Sequence, residues 1–138
     1  MSHARANAPA AIKLRICAAP KVRQIYWCDF PQDRQLPEFG KRRPVLILSY
    51  GHVLRGHCTV LPLSTADQSG MSAKWAHRLE YELGKSATSW VVCNHICTVA
   101  NSRLSQFGKP IPRIDVGEFQ QVLARTLAWL PRLEAQIP

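Results

Sequence analysis

Acidic residues are scarce in this chain: nine Asp and Glu stand against 18 Lys and Arg in 138 residues, a formal net charge of +9. Solubility alone does not require that excess, which favours a polyanionic partner such as nucleic acid. Missing too is any apolar run of about 18 residues, so no helical membrane span is expected. Lys13 and Arg15 interrupt the Ala-rich N-terminus, which argues against a cleaved signal. The five cysteines, Cys17, Cys28, Cys58, Cys93 and Cys97, contain no CxxC pair and leave one over. Reduced thiols in a cytoplasmic protein are therefore expected, four of them packing as small apolar residues in strands. Cys93 and Cys97 flank His95, yet ligand pairs in structural zinc sites want a turn and this segment reads as strand, so neither a metal nor another cofactor is expected. No repeat or low-complexity tract occurs beyond the N-terminal arm.

What remains is a globular composition, 46% hydrophobic and 20% charged. One domain of this size buries roughly two thirds of its unfolded surface. Residues 1–20 read as a basic, mobile arm and residues 21–138 as the folded domain. From Val22 the pattern turns to strands: VRQIYWCDF, the turn-rich loop PQDRQLPEFGK, then RPVLILSY, a turn from Gly51 to Gly56, and HCTVLPLST, an antiparallel neighbour. WAHRLEYEL alternates, with Trp75, His77, Leu79 and Tyr81 on one side. After a turn from Gly84 to Ser86, SWVVCNHICTV reads as one almost unbroken apolar strand, and RLSQF as a short one. Asp115 opens the predicted helix, with Glu118 as a capping-box-like partner; its apolar face runs Phe119, Val122, Leu123, Leu127 and Leu130, and Pro131 stops or kinks it. Five or six short strands with a terminal helix predict a mainly β protein with α, a small SH3-like antiparallel barrel closed on one side by that helix.

The most telling stretch is Lys41-Arg42-Arg43-Pro44 running straight into VLILS. A cation beside buried surface must be paired or kept wet, so cations normally avoid such a place. Pro44 marks the strand's first residue and leaves Arg43 at the rim. VLPLST ends a second apolar run in hydroxyls, Ser64 and Thr65. A guanidinium and hydroxyls at neighbouring rims make a phosphate site. Arg34 and Arg55 extend the basic loops.

In this order the pieces QIYWCDF, EFGKRRPVLILS, VLPLST and WVVCNHICTVANSRL, with the terminal helix, resemble the PemK/MazF family of toxins from type II toxin–antitoxin modules, over about Arg23 to Leu130. The resemblance implies an SH3-like barrel that forms a homodimer, cuts single-stranded RNA without metal and is neutralised by a cognate antitoxin. By position it implies that Arg43 serves in cleavage, and that Ser64, or Thr65 if the register differs by one, supports it. Glu38 matches an acidic loop residue. Asn94 and His95 stand where relatives show an acid followed by glutamine, and Cys97 where they often carry a basic residue. These departures feed rival readings, a nucleic-acid-binding SH3-like module without catalysis or a degenerate toxin that binds RNA but cuts poorly.

Cleavage through the RNA's own 2′-hydroxyl needs a proton acceptor, a donor for the leaving 5′-oxygen and cations on the phosphorane. The planar fork of Arg43 suits the last task. His95 titrates nearest neutrality, but strand alternation puts Asn94 and His95 on opposite faces unless a bulge intervenes. Lys41, Arg42, Glu38 and Arg55 are candidates for RNA contact. Trp75 is the best stacking candidate, while Trp27 and Trp90 are expected in the core.

Overall fold

The computed structural model describes residues 13–33, 35–51, 53–80, 83 and 88–133. Strands β1 (Ile25–Asp29), β2 (Arg42–Ile47) and β3 (His57–Ser64) are successive antiparallel neighbours, with Ile25 opposite Leu46 and Leu46 opposite Leu61. Their apolar runs are unbroken because both faces are covered. Alternation sends Ile25, Leu46, Leu61 and Leu63 to one core and Tyr26, Cys28, Val45, Ile47, Cys58 and Val60 to the other.

β2 begins at Arg42, two residues earlier than expected, so Arg43 and Pro44 lie within it. Pro44 is tolerated because the ladder to β3 starts only at Val45, opposite Pro62.

The remaining strands are short: β4 (Ala76–Arg78), β5 (Trp90–Val92), β6 (Cys97–Ala100) and β7 (Leu104–Gln106). β3 is the pivot. Its first half pairs β6 from His57 to Val60, and its end pairs β5 at Leu63 and Ser64. The predicted single strand SWVVCNHICTV is thus two strands broken by a turn at Cys93 and Asn94, where the His95 N–H donates to the Val92 carbonyl at 3.2 Å. The break lets one strand's worth of sequence follow β3 around its bend.

The sheet order is β4-β5-β3-β2-β1-β7, all antiparallel, seven strands in total. Among the described residues no ladder joins β4 to β7, so the sheet is strongly bent but open, and the expected barrel does not close. Trp75 belongs to a 3-10 turn, Met71–Trp75, ahead of the three-residue β4, so the alternating strand is shorter than predicted. Tyr81, Glu82, and the expected turn from Gly84 to Ser86 lie outside the described residues, as do residues 1–12 of the predicted arm. Its last part, from Lys13 to Pro20, packs on the sheet: Ile16 is 8% exposed within the second core, and Arg15 pairs with Asp29 at 2.7 Å.

Helix α1 (Val116–Trp129) covers the first core. Asp115 caps it, accepting from the Glu118 N–H at 2.7 Å. Glu118 does not complete a capping box. Its buried carboxylate accepts the Glu80 N–H at 2.8 Å and meets His77 Nε2 at 3.0 Å. That anchor rotates the helix so that Glu118, Val122 and Thr126 face inward, while Leu127 and Leu130 of the predicted apolar face stand 55% and 43% exposed.

Candidate nucleic-acid interface

At the rim where β2 starts and β3 ends, the two antiparallel strands bring Lys41, Arg42, Arg43 and Pro44 against Leu63, Ser64, Thr65 and Ser89 in one shallow cradle. Antiparallel pairing dictates this meeting, because the entry of one hairpin strand lies beside the exit of the other. Lys41 precedes the strand with φ of 56°, a left-handed turn uncommon for a residue with a side chain, and its carbonyl accepts the Phe30 N–H at 3.0 Å. Ser64 is buried, and its Oγ accepts the Ala66 N–H at 3.1 Å, which leaves the hydroxyl proton to donate. Thr65 is exposed beside it.

Arg42 and Arg43 diverge, as neighbours on a strand must. The Arg43 guanidinium lies 4.6 Å over the Phe39 ring, and Phe39 in turn meets the His95 imidazole edge-on at 4.7 Å. The Arg42 guanidinium lies 4.7 Å over Trp27, within 3.5 Å of Ser105 Oγ.

Beyond Phe39 opens a second, wider groove that carries Glu38, Asn94, His95, Cys97 and Arg103. The turn at Cys93 and Asn94 overrides strand alternation, so Asn94 and His95 line the same groove instead of opposite faces. Burial pushes the His95 imidazole below its ordinary value, favouring the neutral ring. Burial first, and the nearby Glu38 carboxylate second, push the Cys97 thiol up. Glu38 holds its loop, with Oε1 accepting the Gln35 N–H at 2.8 Å. Arg103 is structural, donating to the Asp29 carbonyl at 3.0 Å.

Two expected contacts fall elsewhere. Arg55 lies in the turn joining β2 to β3, at the end of the hairpin opposite the cradle; loops consecutive in sequence are opposite in an antiparallel pair, and the eight-residue β3 separates them. Trp75 lines neither cradle nor groove: it packs edge-on against Trp129 of α1 at 5.0 Å, with the Lys74 ammonium 4.8 Å over its ring. Arg34 lies outside the described residues. Trp27, expected in the core, is only half-buried and carries Arg42. Phe39 was not singled out by sequence; an aromatic directly before Gly40 and the basic run was its signal. Among the described residues no group of three His, Cys, Asp or Glu side chains gathers as a metal site, and no helix is long and apolar enough to cross a membrane.

A bent, open antiparallel sheet with one terminal helix and a guanidinium-and-hydroxyl cradle at one rim defines the class of small β protein to which this fold belongs. Residues 21–130 match the family model described as PemK-like, MazF-like toxin of type II toxin–antitoxin system, and the chain belongs to that family. Solved structures share the fold. MazF from Deinococcus radiodurans aligns with a TM-score of 0.64 at 19% identity, covering 81% of this chain and 96% of that one. The Mycobacterium tuberculosis toxin MazF-mt6 aligns at 0.53 and 21% identity, covering 77% and 93%. An endoribonuclease in complex with its cognate antitoxin, from a mycobacterial species, aligns at 0.56 and 21% identity, covering 83% and 100%. No curated protein matches the chain.

Proposed function

We propose that this chain is the toxin of a toxin–antitoxin pair and cleaves single-stranded RNA through the substrate's own 2′-hydroxyl. One observation carries the reading: Arg43 and Ser64, from separate strands, converge on a single cradle. The 2′-oxygen attacks the adjacent phosphorus and the P–O5′ bond breaks, leaving a 2′,3′-cyclic phosphate and a 5′-hydroxyl. Arg43 places two parallel N–H donors on the non-bridging oxygens as charge builds, and Ser64 or Thr65 adds a hydroxyl donor. His95, kept neutral by burial and one phenyl ring away from Arg43, is the proton acceptor for the 2′-hydroxyl, with Asn94 contacting the RNA beside it. No metal enters this scheme. The basic rim also suits a cognate antitoxin with an acidic, extended segment, and family membership supports a homodimer.

The test is incubation of purified protein with mixed-sequence RNA and mapping of the cut ends. Cyclic-phosphate products that persist in excess chelator, with an all-deoxy strand bound but uncut, are expected. Mg²⁺-dependent cleavage or 5′-phosphate ends would overturn the mechanism. Binding without any cleavage would leave the rival, a non-catalytic nucleic-acid-binding module, which the uncharged Asn94 amide and protonated Cys97 thiol in the groove favour.

A further inference from the structure

The cradle accounts for a phosphate but not for the base attached to it. On the side away from Phe39, three strands build a column of flat groups on one face. Trp27 of β1 lies opposite Pro44 of β2 and opposite Ser105 of β7. Phe107, just past β7, supports Trp27 from one side, with ring centroids 4.8 Å apart and planes tilted by 35°. The Arg42 guanidinium lies 4.7 Å over the same indole. The column ends in an exposed guanidinium that also borders the cradle.

A rim arginine on an aromatic ring is often only packing. Here the charge is not spent locally. The acid opposite Arg42 in the β1–β2 register is Asp29, and Asp29 is taken by Arg15 at 2.7 Å. Among the described residues no carboxylate pairs with Arg42. The chain thus diverts the acid opposite Arg42 to the N-terminal segment and leaves a flat cation, stacked on an indole, beside the cradle.

We propose that the Phe107–Trp27–Arg42 column is the seat for a nucleobase of single-stranded RNA. The base lies on the outer face of the Arg42 guanidinium while its phosphate enters the cradle. Arginine planes and aromatic rings are what unstacked bases settle on, and stacking tolerates every base because each has a π face. The seat therefore selects for single strands, whose bases are free to splay, and not for a base identity. This inference rests on the RNA-directed reading of the cradle.

The experiment measures binding of a fluorescent 2′-O-methyl RNA oligomer, which lacks the nucleophilic hydroxyl, and of a series in which one nucleotide at a time is abasic. Arg42→Lys keeps the charge and removes the plane; Trp27→Ala removes the support, and Trp27→Phe restores a ring should the alanine variant fold poorly. Arg55→Ala, at the far end of the hairpin, is the reference. Arg42→Lys and Trp27→Ala are expected to weaken binding about 5- to 100-fold, the range of one stacked base. Trp27→Phe should recover most of it, and the penalty should vanish for the one oligomer abasic at the seat. Wild-type affinity for Arg42→Lys, or an equal loss at every abasic position, would overturn the seat while leaving cleavage by the parent protein intact. A parent protein that neither binds nor cuts RNA would instead overturn the functional reading, and the seat with it.

Discussion

Arg43 is the residue whose removal should separate fold from function most cleanly. Its guanidinium rests on Phe39 at the cradle's edge and the residue as a whole is half-buried, so Arg43→Ala should melt close to the parent. Cleavage should fall by roughly two to three orders of magnitude, the loss of about 3–4 kcal/mol of charge stabilisation. Arg43→Lys should recover little, since a point charge lacks the fork. Full cleavage by a folded alanine variant would remove Arg43 from the mechanism. For His95 the folded pKa is depressed, so the neutral ring contributes stability that is fully present above the unfolded value of about 6.5 and is lost as pH falls from there through the lower folded value. The rate profile should carry an acid limb below that ordinary value, and His95→Gln should abolish it together with the acid loss of stability. An unchanged profile in the variant would sink the role given to that imidazole.

At the level of elements, helix α1 is held by a polar anchor that periodicity cannot register. Glu118 carries both the His77 contact and the Glu80 N–H in a buried pocket. Glu118→Ala should destabilise by about 3 kcal/mol in urea unfolding, because the buried His77 ring loses its partner and the part-buried Glu80 N–H its acceptor. Glu118→Gln keeps an acceptor oxygen and should cost less; equal stability for alanine and parent would refute the anchor. Asp115→Ala removes an ordinary cap and should cost about 1 kcal/mol. The same anchor explains where the sequence misled. Its apolar spacing promised Leu127 and Leu130 to the core, whereas the interior kept Val122 of the predicted face and took Glu118 and Thr126 beside it. β1, β2, β3 and the capped start of α1 were legible because hydrophobic runs, Pro44 and Asp115 act locally. The turn at Cys93 and Asn94 was not, since its one local signal is the lone turn former Asn94 within an otherwise apolar run. It falls where pairing with β3 passes from β5 to β6, a long-range feature. Arg43 with Ser64 was readable from strand ends; the Phe39 bridge and the displacement of Arg55 required the hairpin in three dimensions.

For the molecule as a whole, charge and buried thiols set the working conditions. With +9 formal charges, the logarithm of the binding constant for the 2′-O-methyl oligomer should fall linearly with log salt, with a slope of about 0.7 per phosphate contacted. A salt-independent affinity would contradict phosphate binding. Burial pushes the Cys28 thiol up to about 12 and those of Cys58 and Cys93 up to about 11. A raised folded value favours folding below the unfolded thiol pKa of about 8.5, and that contribution fades as pH climbs toward the folded ones. Stability should therefore peak between about pH 6.5 and 8.5, falling on the acid side through His95 and on the alkaline side through the three thiols.

The same thiols decide how the protein can be handled in an optical experiment. Cys28, Cys58 and Cys93 are shut away and protonated, Cys97 is partly covered and held protonated, and Cys17 stands exposed on the segment ahead of β1. A maleimide dye at neutral pH should add once, at Cys17, without any cysteine having been removed, and intact-mass spectrometry of the native and the urea-unfolded protein should count one adduct against five. The chain thus carries its own single attachment point for a fluorophore.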